Sequence, residues 1–352
     1  KMAAHGFSED HGMLFVTYRP ESGGFGSEPS RGWVREVAVD LSDPSTTYTL
    51  AEYESDDFSG NPGSLLLSDG SVPQITGRFR GGGSDARVVE TSADGRYAFF
   101  YGADYNEDPM LESPSNFLDR VEIRTGETER LYQADNDGQS ERIVSVLDVD
   151  AGSFVVSRES PTEIEQSFHV RGDDRRQLTE NVDYTPQMTE APRQRFTVER
   201  PDGFRFLVNV TLPPGYQEGT RLPAMFWFYP REYTDQESYD ERILRTYNKN
   251  TFQGYGTRSM AILTRLGYAV VEPESPIVGE QGAMNDNYVH DLRNNLATVI
   301  DTITARGWVD RGRIAIGGHS YGAFSTANAM VHTPFFKAGI AGDGNYNRTL
   351  TP

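Results

Sequence analysis

Gly318-His319-Ser320-Tyr321-Gly322 is the segment of this chain best suited to chemistry. A serine flanked by glycines two residues away on each side fits a nucleophile elbow, a sharp strand-to-helix turn that lifts the serine hydroxyl clear of a sheet. The context fits as well. The apolar run Arg313-Ile314-Ala315-Ile316-Gly317-Gly318 reads as a strand, and Ala323, Phe324, Ala327 and Met330 lie on a helix after Ser320. A side chain at Gly318 or Gly322 would collide with neighbouring backbone in so tight a turn. The helix N-terminus offers N–H groups and a positive dipole end to a developing oxyanion, so Tyr321 N–H is expected to be one donor. The chemistry would be acyl transfer through a covalent intermediate on Ser320. The alternative is a glycine-rich turn holding a structural serine.

Such a serine needs a base and an orienting acid, which in α/β-hydrolases follow it in the order acid, then histidine. Thirty-two residues follow Ser320, and His332 is their sole histidine. At about 1.5 Å per residue it stands some three helical turns from the nucleophile. His319 belongs to the elbow itself, where adjacent side chains point apart, and His290 lies on a surface helix. Asp343, at the end of the next strand, is a weak candidate for the acid. The triad Asp and His are therefore expected outside this chain, and residues 1–352 alone are expected to be inactive. A separate C-terminal fragment carrying both groups is one partner this implies.

The elements around the elbow alternate strand and helix. Arg195 to Val210 reads as a hairpin about Pro201-Asp202-Gly203, Leu222 to Tyr229 and Tyr268 to Val271 as buried strands, and Thr257 to Leu266 as a helix capped by Gly267. From Asn287 to Ala305, Leu292, Leu296, Val299, Ile300 and Ile303 share one helical face. This grammar predicts a doubly wound, mostly parallel sheet, an α/β-hydrolase domain over residues 186–352.

Residues 1–185 read differently, as short strands between Gly, Asp, Asn and Pro turns. A strand, Asp-Gly turn, strand, Thr-Gly turn, strand order runs from Ser92 to Tyr132, recurs from Val144 to Thr179 and is blurred from His11 to Leu50. That order is expected of β-propeller blades, so a partial propeller, incomplete at its N-terminal side, is the expectation; a β-sandwich is the alternative. Asp135-Asn136-Asp137-Gly138 lacks the closing Glu of a calcium loop and reads as a blade turn, and Gly81-Gly82-Gly83 precedes no helix and reads as a loop.

Composition narrows the field. The net charge of −19 disfavours nucleic acid. The absence of cysteine removes disulfides and thiolate chemistry, and no His or acidic cluster has metal-ligand spacing, so no metal or cofactor is expected. No apolar run approaches the ~20 residues of a membrane helix. The compartment stays open, with periplasmic or secreted and plastid stroma both compatible. Oligomeric state is not legible.

The elbow segment Gly312 to Phe324, with Thr326-Ala327-Asn328, His332-Thr333, Ala338-Gly339-Ile340-Ala341 and Tyr346 to Pro352, resembles the prolyl oligopeptidase family of serine peptidases. Trp227 to Tyr233, Pro276 to Glu280 and Asn285-Asp286 resemble its glutamyl endopeptidase branch. The likeness is dense over residues 195–352 and diffuse before them. It implies a propeller ahead of the hydrolase domain and a peptide substrate reaching a cavity between the two. It implies a second oxyanion donor, the Tyr229 hydroxyl. It also implies that Asn345 to Arg348 line the pocket for the residue before the scissile bond, with Arg348 a candidate receptor for a glutamate there. A carboxylesterase or lipase on the same core, and a non-catalytic propeller protein with a remnant hydrolase domain, are the competing readings.

Overall fold

The computed structural model describes residues 2–19, 32–55, 57, 60–68, 87–106, 108, 110–255 and 259–346. Its contacts divide the chain into two units, one of Lys1–Asp183 with Ile243–Phe252, the other of Tyr184–Arg242 with Gln253–Pro352. Among the described residues, no helix is long and apolar enough to cross a membrane.

The first unit is built from three four-stranded antiparallel sheets, each formed by consecutive strands. Strands β1 to β4 are Met2–Phe7, Met13–Tyr18, Trp33–Asp40 and Thr47–Glu54; β5 to β8 are Ser64–Leu65, Tyr97–Asp104, Ser115–Glu122 and Thr128–Gln133; β9 to β12 are Ser140–Asp148, Ser153–Glu159, Gln166–Arg171 and Asp174–Gln177. The middle sheet is apolar on both faces because its strands carry hydrophobic residues at successive positions. Ala98 and Phe100 of β6 pack with Phe15, Ala38 and Leu50 of the first sheet. The alternate residues Phe99 and Tyr101 pack with Ile143, Phe154 and Val156 of the third. The period of two along a strand thus sends one sequence into two cores. Asp135 to Gly138 makes the turn between β8 and β9, joining two sheets rather than two strands of one, with Asp137 N–H donating to Asp135 Oδ1 at 3.0 Å. Gly81 to Gly83 lie outside the described residues.

Segment 243–252 leaves the second unit's chain and is hydrogen-bonded into the first. Asn250 Nδ2 donates to Asn136 O at 2.7 Å and Gln139 O at 3.0 Å, and Asn248 Nδ2 donates to Ser140 Oγ at 3.0 Å.

The second unit holds a six-stranded sheet. Its strands are β13 (Arg193–Glu199), β14 (Arg205–Thr211), β15 (Leu222–Trp227), β17 (Ala269–Pro273), β19 (Val309–His319) and β20 (Ala338–Gly342); a separate short pair is formed by β16 (Arg231–Tyr233) and β18 (Pro276–Val278). The spatial order is β13-β14-β17-β15-β19-β20. β14 pairs antiparallel with β13 and β17, and the remaining pairs are parallel. Helices α1 (Pro186–Thr189), α2 (Gln236–Thr246), α3 (Tyr288–Ala305) and α4 (Tyr321–His332) accompany it. A mostly parallel sheet entered by an antiparallel hairpin, with a strand–turn–helix at its fifth strand, β19, fits a hydrolase fold. The helix expected from Thr257 is a 3₁₀ helix, Met260–Leu266, capped by Ser259 Oγ at one end and by Gly267 at φ 81° at the other. Residues 256–258 lie outside the described residues. Gly267 N–H donates to Thr264 O at 3.0 Å, the i to i−3 spacing of this tighter winding.

Phe100 is buried between the first two sheets. Phe100→Ala should cost about 3–5 kcal/mol in denaturant unfolding, whereas Leu147→Ala, at a side chain 59% exposed, should change stability by less than about 0.5 kcal/mol.

Candidate active site

β19 ends at His319 and α4 begins at Tyr321, so Ser320 alone makes the turn. Its backbone sits at φ 55°, ψ −115°, a region closed to most residues with a Cβ. Three glycines permit the turn. A Cβ on Gly317 would lie 2.7 Å from Met225 Cε and 2.9 Å from Ile340 O. One on Gly318 would lie 2.5 Å from the Gly322 carbonyl carbon, and one on Gly322 would lie 2.3 Å from Phe228 O. α4 therefore starts directly against the end of β15. The strained residue is held by hydrogen bonds at both of its backbone groups. Ser320 N–H donates to Gly342 O at 2.9 Å, and its carbonyl accepts from Ala323 N at 3.0 Å and Phe324 N at 3.1 Å.

Tyr229 is placed by the same approach. It follows Phe228, whose carbonyl faces Gly322, and its Cα would be 3.7 Å from a Cβ there. The ring is 48% exposed and meets the Tyr321 ring edge-on, centroids 5.9 Å apart at 79°. The Arg231 guanidinium lies 6.0 Å above its centroid. Tyr321 in turn packs against Tyr288 and Phe324, with centroids 5.8 and 6.0 Å away. Ser325 Oγ donates to Tyr321 O at 2.6 Å and Tyr288 Oη donates to Ser325 Oγ at 2.5 Å, pinning the first turn of α4 to the start of α3.

One polar cluster here escaped the sequence reading. Tyr321 Oη lies 3.0 Å from Asn285 Oδ1 and 3.1 Å from Glu232 Oε1, and Asn285 Nδ2 donates to that same Glu232 oxygen at 2.7 Å. Glu232 stands on β16, whose pairing with β18 sets Glu232 opposite Ile277. β18 is anchored from beneath. Val278 N–H donates to Asp291 Oδ2 at 2.7 Å, and Asp291 Oδ1 lies 3.3 Å from the buried Arg200 Nη1. Burial pushes the Asp291 carboxyl up; the Val278 N–H and the Arg200 charge pull the other way.

The histidines of this unit do not gather at Ser320. His319 Nε2 lies 3.7 Å from Asp343 Oδ2, but the side chains are 65% and 91% exposed, a solvated surface pair. Asp343, at φ 52°, faces water rather than the turn. His290 and His332, far apart in sequence, line one open groove beside the start of α3 with Asp286 and Arg293. Among the described residues, no group of three or more His, Cys, Asp or Glu could hold a metal ion. Arg348 and Asn347 lie outside the described residues.

Residues 255–351 match the prolyl oligopeptidase family. Over 320 residues the chain is 32% identical to a probable chloroplastic glutamyl endopeptidase of Arabidopsis thaliana, covering 86% of this chain and 32% of that protein. Over 339 residues it is 31% identical to a probable chloroplastic glutamyl endopeptidase of Oryza sativa subsp. japonica, covering 92% and 34%. The chain spans about a third of the length of these curated relatives. Among solved structures, AtxE2 isopeptidase in its apo form aligns at a TM-score of 0.45 with 16% identity, over 94% of this chain and 56% of that one. The likeness to the family model thus covers residues 255–351, and the likeness to the glutamyl endopeptidases most of the chain.

The backbone contact at Gly322 yields a direct test. Gly322→Ala, whose Cβ would lie 2.3 Å from Phe228 O, should lower stability by about 1–3 kcal/mol in denaturant unfolding. Gly254→Ala, where a Cβ would meet nothing within 4 Å, should change stability by less than about 0.5 kcal/mol.

Proposed function

We infer from the match to the prolyl oligopeptidase family, and to glutamyl endopeptidases over most of the chain, that this protein is a serine peptidase whose nucleophile is Ser320. The observation that carries this is the strained turn at Ser320, walled by backbone at Gly318 and Gly322 and opening a helix. Strain of this kind costs about 1–3 kcal/mol and persists where the turn itself has a use.

In the reaction we propose, Ser320 Oγ attacks the scissile carbonyl carbon as its proton passes to a base. The carbonyl π electrons move onto oxygen, which then meets Tyr321 N–H and the Tyr229 hydroxyl. Collapse of that intermediate expels the amine, which takes the proton, and leaves an acyl-enzyme on Ser320 for water to hydrolyse. The edge-on contact between the Tyr229 and Tyr321 rings supports pairing these two donors. We assign the base and its acid to groups outside residues 1–352. The engagement of His319 by Asp343 and of His290 by Asn294, and the distal position of His332 on α4, support this.

The three stacked sheets of the first unit, the middle one buried on both faces, support reading them as propeller blades. The names of the curated relatives favour cleavage after glutamate, and we propose Arg348 as the group that would meet that carboxylate.

Two outcomes are expected. A fluorophosphonate should label the complete protein at Ser320 and not its Ser320→Ala variant, and Tyr229→Phe should lower kcat by about 10²–10³-fold, the range for losing one oxyanion donor; labelling that persists without Ser320 would remove the assignment. Arg348→Ala should depress kcat/KM for a Glu substrate by at least about 10-fold more than for its Gln counterpart, a difference of about 1.4 kcal/mol; equal losses on both would exclude a carboxylate receptor at that position.

A further inference from the structure

Tyr321 is fixed at every part of its length. Its carbonyl accepts from Ser325 Oγ, its ring is enclosed by Tyr229, Tyr288 and Phe324, and its hydroxyl reaches Glu232 and Asn285. The hydroxyl contact is exposed, so burial does not require it. A phenol at the surface can bond to water at no loss. Here it meets a carboxylate oxygen that already accepts from Asn285 Nδ2.

The amide orientation of Asn285 is determined by its neighbours. Turned over, it would set its oxygen against the Glu232 carboxylate. With Oδ1 toward Tyr321, the hydroxyl proton lies between two acceptors, and the carboxylate is the stronger. Both acceptors are themselves held. Glu232 is in the β16–β18 ladder, anchored through Val278 to Asp291 and Arg200. Asn285 ends a loop folded back tightly enough that a Cβ on Gly279 would lie 2.9 Å from Met284 Cα.

We propose that Glu232 is a positioning residue for the oxyanion site, acting through the Tyr321 hydroxyl. The residue whose N–H meets the oxyanion has its side chain tethered to Glu232, and the same ring is the surface on which Tyr229 rests. Glu232 thereby sets the spacing between the two donors without touching substrate. Peptide ground states gain little from this spacing, while the tetrahedral intermediate, with its lengthened C–O⁻ bond, depends on it. The effect belongs in kcat rather than KM. This inference rests on Ser320 being the nucleophile and Tyr321 N–H and Tyr229 its oxyanion donors.

The test is a double-mutant cycle on the complete protein with a peptide substrate, using Glu232→Ala, Tyr321→Phe and both together, beside Glu232→Gln and Ser320→Ala. Glu232→Ala and Tyr321→Phe should each lower kcat by about 10-fold with KM changed less than about twofold, and the double variant should lose about 10-fold rather than about 100-fold, because the two groups act through one bond. Glu232→Gln keeps an acceptor at Oε1 and should retain at least about half of kcat. Because Glu232 and its contact with the Tyr321 hydroxyl are exposed and Tyr321→Phe keeps the ring, thermal midpoints should stay within about 2 °C of the parent protein. Multiplicative losses in the double variant, or an unchanged kcat in Glu232→Ala, would overturn the proposal. So would a Glu232→Gln variant as impaired as Glu232→Ala with a raised KM, which would mark a charge contact to a cationic substrate group. Turnover surviving Ser320→Ala would instead remove the nucleophile assignment, and the proposal with it.

Discussion

The second unit depends on one close approach, that of backbone to backbone where Gly322 meets the Phe228 carbonyl. No side chain can occupy that space, and the helix beginning there can therefore start at the level of the sheet edge. The turn before it has one residue in which to reverse direction, and Ser320 takes a positive φ as a result. The energy of that conformation is offset locally. The Ser320 N–H is satisfied by the strand alongside, at Gly342, and its carbonyl by the helix it opens. A serine so placed has its backbone fully engaged and its position determined by neighbours on both sides, the preorganisation that electrostatic catalysis requires.

The second support lies beneath the ledge carrying Glu232. Arg200 is buried and shared between Asp202, Asp291, Asn295 and the Pro276 carbonyl. Such a group is costly to bury, and removing one partner of a buried pair typically destabilises by about 3–5 kcal/mol because the other is left uncompensated. Its geometric effect is clear. It joins the turn after β13 to β18 and to the first turns of α3, and β18 in turn carries β16. A buried charge network thus fixes a surface ledge, and the ledge meets the Tyr321 side chain directly after the elbow.

How much of this was legible in the sequence follows from how local each constraint is. The elbow was legible because its steric demand falls on residues within two positions of Ser320. The face of α3 was legible because Leu292, Leu296, Val299, Ile300 and Ile303 repeat at helical spacing and are all buried. The sites of Glu232 and Asn285 were not, since they reach Tyr321 across 89 and 36 positions through loops with no periodic pattern. The 243–252 segment was hidden for the same reason: Asn250 and Lys249 bond to carbonyls, and Asn248 to the Ser140 hydroxyl, partners that no side-chain pattern marks. Helix α2 went unread because Gln236 to Thr246 is mostly polar and offers little apolar stripe. The segment before Gly267 carries a helical pattern, which marks a helix without fixing whether it winds as α or 3₁₀.

The groups that fail to meet at Ser320 also follow from the turn. Successive residues at an elbow project in different directions, so His319 cannot serve the residue beside it, and its partner Asp343 follows it outward into solvent. A histidine further along α4 is carried away at about 1.5 Å per residue, which leaves His332 with His290 in a groove beside α3 rather than over the nucleophile. In the proposed reaction the base for Ser320 is therefore assigned to an element that is not continuous with the elbow. The geometry of the strand, turn and helix places Ser320, Tyr321 and Tyr229 together, because one backbone contact, Gly322 against the Phe228 carbonyl, sets all three; in the proposed reaction these are the nucleophile and its oxyanion donors. The side chains next to the turn engage elsewhere, His319 with Asp343 in solvent.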